Sequence, residues 1–542
     1  MKKWAAKISI VAWALLGSAC ASTTAPDTVL INAKIFTSNP AQPWAQALAI
    51  RGERIVAVGD SSAIAALAGA ATRRIDAGGR TVVPGFNDAH QHIAIFPPSD
   101  RLALPFDPTL DQIAEALRGQ LKTAPAGRII QGDFGPTAWD DPRFTRAWLD
   151  QIAPQHLVWL TAFTGHGVLL NSKALAYIDF DDTIADPDGG KLGRDERGRL
   201  TGRLEEYGNA LAQRRLGMKT EQAEAVRIYT QFAAEARTFG LTSVQLLGDT
   251  LPAVEASKAL VAANLPMRWK YFRYPIGIGS ETMDSRPPVP PQPTNRIDMR
   301  GMKWILDGTP LERLGYMRAP YLDAPGNGRL NLSPARIDQF VGWAYGTEDP
   351  LAVHAFGDAA IEAYLSAVEK TGRPEVWRAK RPRIEHGDMM APDLIPRVKA
   401  MGMLVVENPT HFTFPEIMIA RYGKQRVAWM QPMKSLLDQG IPLAIGSDGP
   451  MSPFENIKAA VTHPTHPSEA LTREQAVSAY TTGAAFAEFQ EKDKGQLAVG
   501  MLADLAVLSA DLFTVPLAEM EAIRSVMTLF GGTIVHDTGA IH

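Results

Sequence analysis

The stretch PGFNDAHQH, residues 84–92, carries one carboxylate and two imidazoles immediately after the β-prone run RTVVP. In an extended chain side chains alternate between faces, so His90 and His92 point one way and Gln91 the other. Two imidazoles converging from one rigid strand suit a divalent metal, for which neutral imidazole and carboxylate are preferred ligands. The pattern recurs along the chain. Apolar runs end in a polar or ionisable group in LVWLTAFTGH (His166), LTSVQLLGD (Asp249), MKWILDG (Lys303 and Asp307), LAVHAFGD (His354), RIEHGD (His386), MLVVENPTH (His411) and IPLAIGSDGP (Asp448). His354 and His386 would each bring an imidazole to a metal, and Asp448 a carboxylate. A metal-bound water titrates near neutrality and provides hydroxide. A carboxylate beside it can take the proton and later deliver it to a leaving group. Glycines on both sides of Asp448 let the backbone come close to such a site.

Residues of this kind need elements that gather strand ends at one place. Strand-like and helix-like runs alternate through the middle of the chain, the signature of βα units and a parallel sheet. EQAEAVRIYTQFAAEARTFG and DAAIEAYLSAVEKTG read as helices closing on a glycine stop. In a (β/α)8 barrel the C-terminal strand ends converge on one face, where active sites sit. Six of the eleven histidines stand at the ends of apolar runs, which a random scatter would not produce. Nine runs are strand-like, adding TVVPGFNDAH and MRWKYFRY to those above, one too many for eight strands. The surplus, LVWLTAFTGH, is assigned to a long insertion after the first barrel strand. Both ends of the chain read instead as short strands and hairpins, among them ALAI-RGER-IVAVG and SVMTLFGGTIVHD, which suggests one small β domain built from the two termini. HPTHP (His463, His466) resembles a metal motif, but its prolines predict a surface loop.

The chain has 542 residues and a formal net charge of −3. That length predicts one large or two unequal domains, and the charge leaves no footprint for nucleic acid. The start, MKKWAAKISIVAWALLGSAC, has a basic opening, a short apolar stretch and small residues before Cys20, the only cysteine. It reads as a secretory signal, and Cys20 stands where a bacterial lipoprotein would be lipidated. The expectation is an exported protein, periplasmic or anchored to the membrane through a lipid on Cys20. A lone cysteine cannot form an internal disulfide, so stability must come from packing, helped by metal.

The order VVPGFNDAHQH, MKWILDG, VHAFGD, RIEHGD, AIGSDGP and KGQLAVGMLADLAVL resembles the amidohydrolase superfamily. More narrowly it is similar to amidohydrolase family 3, the YtcJ-like branch that includes N-substituted formamide deformylases. FTGHGVLLNSKAL and TGRLEE resemble that branch's insertion motifs, and the similarity runs from about residue 28 to about 538. The resemblance implies a distorted (β/α)8 TIM barrel, of the α/β class, beside a small β-sandwich. The expected boundaries are a signal over 1–20, the sandwich over 28–83 plus 490–540, and the barrel over 84–489 with an insertion at about 95–235. It also implies two divalent metal ions, zinc by preference. His90 and His92 would hold the more buried ion, and His354 and His386 the second. Lys303 would bridge both if N-carboxylated; otherwise Glu205 or Glu206 could lend a carboxylate, or the site could hold one ion. Asp448 would ligate the first ion and serve as general base and acid, while a metal and a histidine, His386, polarise the carbonyl oxygen. His166 and His411 are candidate substrate contacts. The reaction expected is hydrolysis of a C–N, amide-type bond of a small molecule by a metal-bound hydroxide. A deaminase, an ester or lactone hydrolase, or a non-catalytic small-molecule-binding envelope protein are the alternatives. Oligomeric state is left open, a homodimer among the options.

Overall fold

The computed structural model describes residues 25–541, apart from 249, 277–285, 288 and 291–295. The signal and Cys20, Asp249 and most of the proline-rich SRPPVPPQPTN lie outside the described residues.

Eight parallel strands form the barrel: β1 (Phe86–Gln91), β2 (Leu241–Gly248), β3 (Arg268–Arg273), β4 (Met302–Ile305), β5 (Leu351–Ala355), β6 (Arg383–His386), β7 (Leu404–Glu407) and β8 (Leu443–Ile445). Each pairs with the next in sequence order. Helices such as Gln222–Ala236, Ala253–Ala263, Pro334–Gly346 and Asp358–Glu369 cover the outside. Their apolar faces and the outward residues of the strands, Val244, Trp269, Val353 and Ile384 among them, share one core. The interior is different. It carries Lys270, Gln245, Arg383 and Glu385, all buried, beside a small apolar group of Leu247, Phe272 and Ala352.

The seam between β8 and β1 is closed by side chains and loop backbone, which makes the barrel nearly closed. Ser447 N–H donates to Asp88 Oδ1 at 2.8 Å, and Asp448 N–H donates to the His90 carbonyl at 2.9 Å. Gly446 permits this approach, since a Cβ there would lie 2.4 Å from the backbone nitrogen of His90.

Two sheets built from both termini form the sandwich. One orders Arg54–Gly59, Ala47–Arg51, Thr28–Ile31 and Arg73–Asp76; the other brings Thr81–Pro84 between Lys34–Phe36 and the C-terminal Leu505–Leu508. Leu30, Ile50, Ile75, Val82, Leu505 and Leu529 fill the space between them. The run TVVPGFNDAH, expected as one strand, is therefore two, with Thr81–Pro84 in the sandwich and Phe86–Gln91 in the barrel. Gly85 is the joint, because a Cβ there would lie 2.2 Å from the Thr242 hydroxyl.

Between β1 and β2 a separate six-stranded sheet spans Ser99–Arg101 to Leu200–Glu206, and Leu157–Ala162 is one of its central strands. Its own core includes Phe134, Trp139, Phe144 and Leu160. The HPTHP segment differs from expectation at its first histidine. His463 caps the helix Pro453–Thr462, is fully buried, and donates from Nε2 to the Gln431 carbonyl at 3.0 Å. No helix among the described residues is long and apolar enough to cross a membrane.

Arg268 of β3 reaches Asp504 of the sandwich at 2.6 Å, both nearly inaccessible, and Asp504 also accepts from Gly531 N–H at 2.7 Å. Removing one partner of a buried ion pair typically costs about 3–5 kcal/mol. Asp504→Ala is therefore expected to destabilise the fold by about that amount in denaturant unfolding. Asp338→Ala, which breaks the exposed pair with Lys370, should cost under about 1 kcal/mol.

Candidate metal centre and active site

His90 ends β1 inside the barrel. Its Nδ1 donates to Glu385 Oε2 at 2.7 Å, and Glu385 is held in turn by Arg383 Nε at 2.6 Å. All three side chains are inaccessible to solvent. Burial and the nearby Lys303 charge outweigh the Asp448 and Glu385 carboxylates and lower the His90 pKa to about 4, so the ring is neutral. With its proton on Nδ1, the lone pair is on Nε2, a buried atom with no hydrogen-bond partner among the described residues. That is the state a metal requires of an imidazole.

Asp448 follows β8 in a left-handed backbone conformation, φ 44°. Its Oδ1 lies 3.6 Å from Nε2 of both His90 and His92; its Oδ2 lies 3.7 Å from His386 Nδ1 and 3.4 Å from His411 Nε2. Burial opposes ionisation here, but His90, His411 and His92 hold the carboxyl well below its usual range. The donor atoms of His90, His92 and Asp448 all lie within 4.8 Å of one another, as do those of His386, Asp388 and His411. The first group fits a divalent cation: two imidazoles, a carboxylate and a desolvated lone pair left without a proton to accept.

His386 shows why strand ends carry function. Arg383 and Glu385 point into the barrel, so alternation would turn His386 outward. A φ of 69° breaks the strand there and brings the ring to 4.7 Å from His90 and 4.4 Å from His354, centroid to centroid. Its Nδ1 donates to Asn408 Oδ1 at 2.8 Å, again leaving Nε2 as the lone-pair nitrogen. Burial, with the His90 ring and Lys303 close by, holds its pKa far below normal. His354, at the end of β5, is likewise buried and neutral, and its Nε2 has no hydrogen-bond partner among the described residues. Asp307 stands 3.6 Å from that atom and accepts three backbone N–H groups, from Tyr316, Phe356 and Gly357. Lys303 is buried in the same cavity, and its charge bears on His90, His354 and His386.

His166 and His411 are of another kind. His411 donates from Nδ1 to Asp388 at 3.0 Å, and burial is outweighed by Asp388 and Asp448, which raise its pKa to about 10. His166, from the inserted sheet, lies 3.0 Å from Glu206; against burial, Glu206 and Glu312 raise its pKa to about 9. Their neighbouring carboxylates favour the protonated ring in both, and both line the larger cavity.

His90, His92, His166, Lys303, His354, His386, His411 and Asp448 thus reach one region, and of the two candidate glutamates Glu206 faces it while Glu205 pairs with Arg329 at 3.0 Å. Sequence reasoning missed Glu385, Asp388, Glu312 and Asn408. Glu385 and Asp388 lie within the quoted RIEHGD, and alternation from Glu385 could have placed it in the barrel opposite His90. For Glu312 no sequence signal existed.

Removing the acceptor that fixes His90 should matter beyond stability. Glu385→Gln is expected to weaken metal affinity about 10–100-fold, the usual effect of losing an outer partner. Competitive chelator titration of the folded variant measures it, and an unchanged affinity would refute the orienting role.

Comparison with known proteins agrees with this geometry. Residues 73–536 match the Amidohydrolase family. The Bacillus subtilis protein named putative amidohydrolase YtcJ is 27% identical, over 86% of this chain and 91% of its own. N-substituted formamide deformylase of Arthrobacter pascens is 26% identical, over 94% of this chain and 98% of its own. In three dimensions, a metal-dependent hydrolase from Pyrococcus horikoshii superposes with a TM-score of 0.70 at 23% identity, covering 91% of this chain and 99% of the other. With the family matched across most of its length, the chain belongs to the amidohydrolase family.

Proposed function

We propose that this protein is a metal-dependent hydrolase that cleaves an amide-type C–N bond of a small molecule. Family membership and the metal-dependent hydrolases among its relatives support hydrolysis, and the named activity of the deformylase relative favours an amide. One observation carries the reading. The two oxygens of Asp448 lie 3.4–3.7 Å from four imidazoles, His90, His92, His386 and His411, at the mouth of a cavity.

His90, His92 and Asp448 would hold one divalent cation, with zinc the preferred ion for such donors. His386 and His354 would serve a second. Bound there, a cation lowers the pKa of water towards neutrality and polarises a carbonyl. Asp448 accepts the water's proton and returns it to the departing amine. His166, held by Glu206 as a cation, is placed to donate to the carbonyl oxygen. His386, whose Nδ1 proton goes to Asn408, would act as a ligand through Nε2. A buried ammonium on Lys303 would repel a cation, whereas N-carboxylation would reverse its sign and make it a bridge. We also propose export of the chain and lipid attachment at Cys20, on the basis of the N-terminal sequence alone.

Metal content per chain, with hydrolysis of N-acyl and N-formyl amines, tests this. Wild type is expected to hold near two ions, with Lys303→Ala losing metal and activity together. One ion unaffected by Lys303→Ala would remove the bridge. Asp448→Asn should lower kcat by about 10²- to 10⁴-fold. Absence of both metal and turnover would return the protein to the class of small-molecule binders.

A further inference from the structure

Two cavities meet at Asp448. The larger, about 620 Å³, is lined by Phe106, Phe163, Leu311, Phe356, Phe414 and Ile417. The smaller, about 330 Å³, is lined by Gln91, Gln131, Asp133, Asn209 and Gln213. His166, His354, His386 and Asp448 line both. The reacting centre therefore sits between an apolar chamber and a polar one.

The apolar chamber is built for rings. Phe106 stacks on Phe414 at 4.6 Å and 6°, and Phe163 stands 4.4 Å from Phe106, centroid to centroid. Phe106 and Phe163 come from the insertion and Phe414 from the loop after β7, so the chamber exists only because the insertion meets the barrel. Its charged rim carries Glu455 beside Lys458 and Glu521, and the last two pair at 2.7 Å. Lys303 is buried within the polar chamber, whose charged rim residues among those described are paired. Arg101 is paired with Asp133, and Glu206 with His166. What it offers is hydrogen bonding, and the Gln131 Nε2 is a buried donor with no partner among the described residues.

Resting on the hydrolase reading above, we propose that the two chambers form one substrate site folded about Asp448. The larger takes an aromatic or branched apolar arm, and the smaller takes a short uncharged arm bearing a hydrogen-bond acceptor. The substrate is a small amide that joins two such arms at the scissile bond. A pocket in this size range suits a single small molecule, and a buried donor penalises any arm that leaves it unpaired.

The test is kcat/KM on a matched set of amides whose large arm is benzyl or methyl and whose short arm does or does not carry a carbonyl. Wild type is expected to prefer benzyl over methyl, and the acceptor-bearing short arm over its hydrocarbon analogue, by about tenfold or more each. Ile417→Trp, at a half-buried position, should cut the benzyl preference by about tenfold, with Ala459→Trp as a second way to fill the same chamber. Gln131→Leu should abolish the acceptor preference and leave the benzyl preference. Equal rates across the set, or preferences untouched by these variants, would overturn the proposal while leaving the hydrolase reading intact. If no amide is turned over, the hydrolase reading fails, and thermal shift with the same compounds decides the chambers. A rise in Tm with the benzyl compounds, lost in Ile417→Trp, together with a larger rise for acceptor-bearing compounds, lost in Gln131→Leu, would sustain the two-chamber binding site without the amide chemistry, and no rise would end the proposal.

Discussion

A guanidinium and a carboxylate inside a β-barrel are costly unless their geometry is good and their remaining valences are filled. Arg383 and Glu385 meet both conditions. The guanidinium gives two hydrogen bonds to Glu385, one to the Ala89 carbonyl and another to the Gln245 amide, and its face lies over the Phe272 ring at 4.6 Å. Glu385 passes its remaining capacity to His90. The desolvated charge therefore fixes a tautomer on another strand. The strands β1, β2, β3 and β6 are coupled through one side chain, and the polar interior of the barrel follows from it. An apolar interior would pack as well but could not aim a lone pair.

Around this fixed point, the reacting groups stand where regular structure ends. His386 and Asp448 have positive φ, and so does Glu206, at 54°. Such backbone is unfavourable for residues with a Cβ and persists only where the surroundings over-determine it. Here the surroundings are Asn408 for His386, the β1 seam for Asp448, and Asn331 with His166 for Glu206. The insertion contributes His166 and two of the three clustered phenylalanines, so the barrel supplies the groups that would hold a metal and the insertion supplies part of the cavity wall.

The convergence of the histidines was legible because a shared cavity at the strand ends constrains where polar groups stand along each strand. His90, His354, His386 and Asp448 could each be placed there from an apolar run that stops at a polar group. The barrel and the composite sandwich were legible for the same reason, through alternation in the middle and hairpins at the ends. Where one apolar run serves two sheets, hydrophobicity has no marker for the change, so TVVPGFNDAH read as a single strand and only the steric demand at Gly85 separates them. His463 misled through its prolines, which set the backbone locally but say nothing of what later packs above it. Glu312 accepts from the Thr164 hydroxyl, and its charge bears on His166, across more than a hundred residues of chain, a proximity that no local pattern announces.

The sandwich has a consequence for how the chain is made. Pro84 lies opposite Leu505, about 420 residues later, and the next barrel strand begins two residues after Pro84. The sheet that anchors the start of the barrel cannot be completed until almost the whole polypeptide has been synthesised, and pairings this distant in sequence form slowly. Until then Lys34–Phe36 and Thr81–Pro84 pair only with each other and with Trp44–Ala45, leaving an open edge along Thr81–Pro84. An edge of this kind can pair with a second chain. The last forty residues thus act as an internal cap that shields the first strands from self-association, and the cost of losing them would fall on yield before it fell on catalysis.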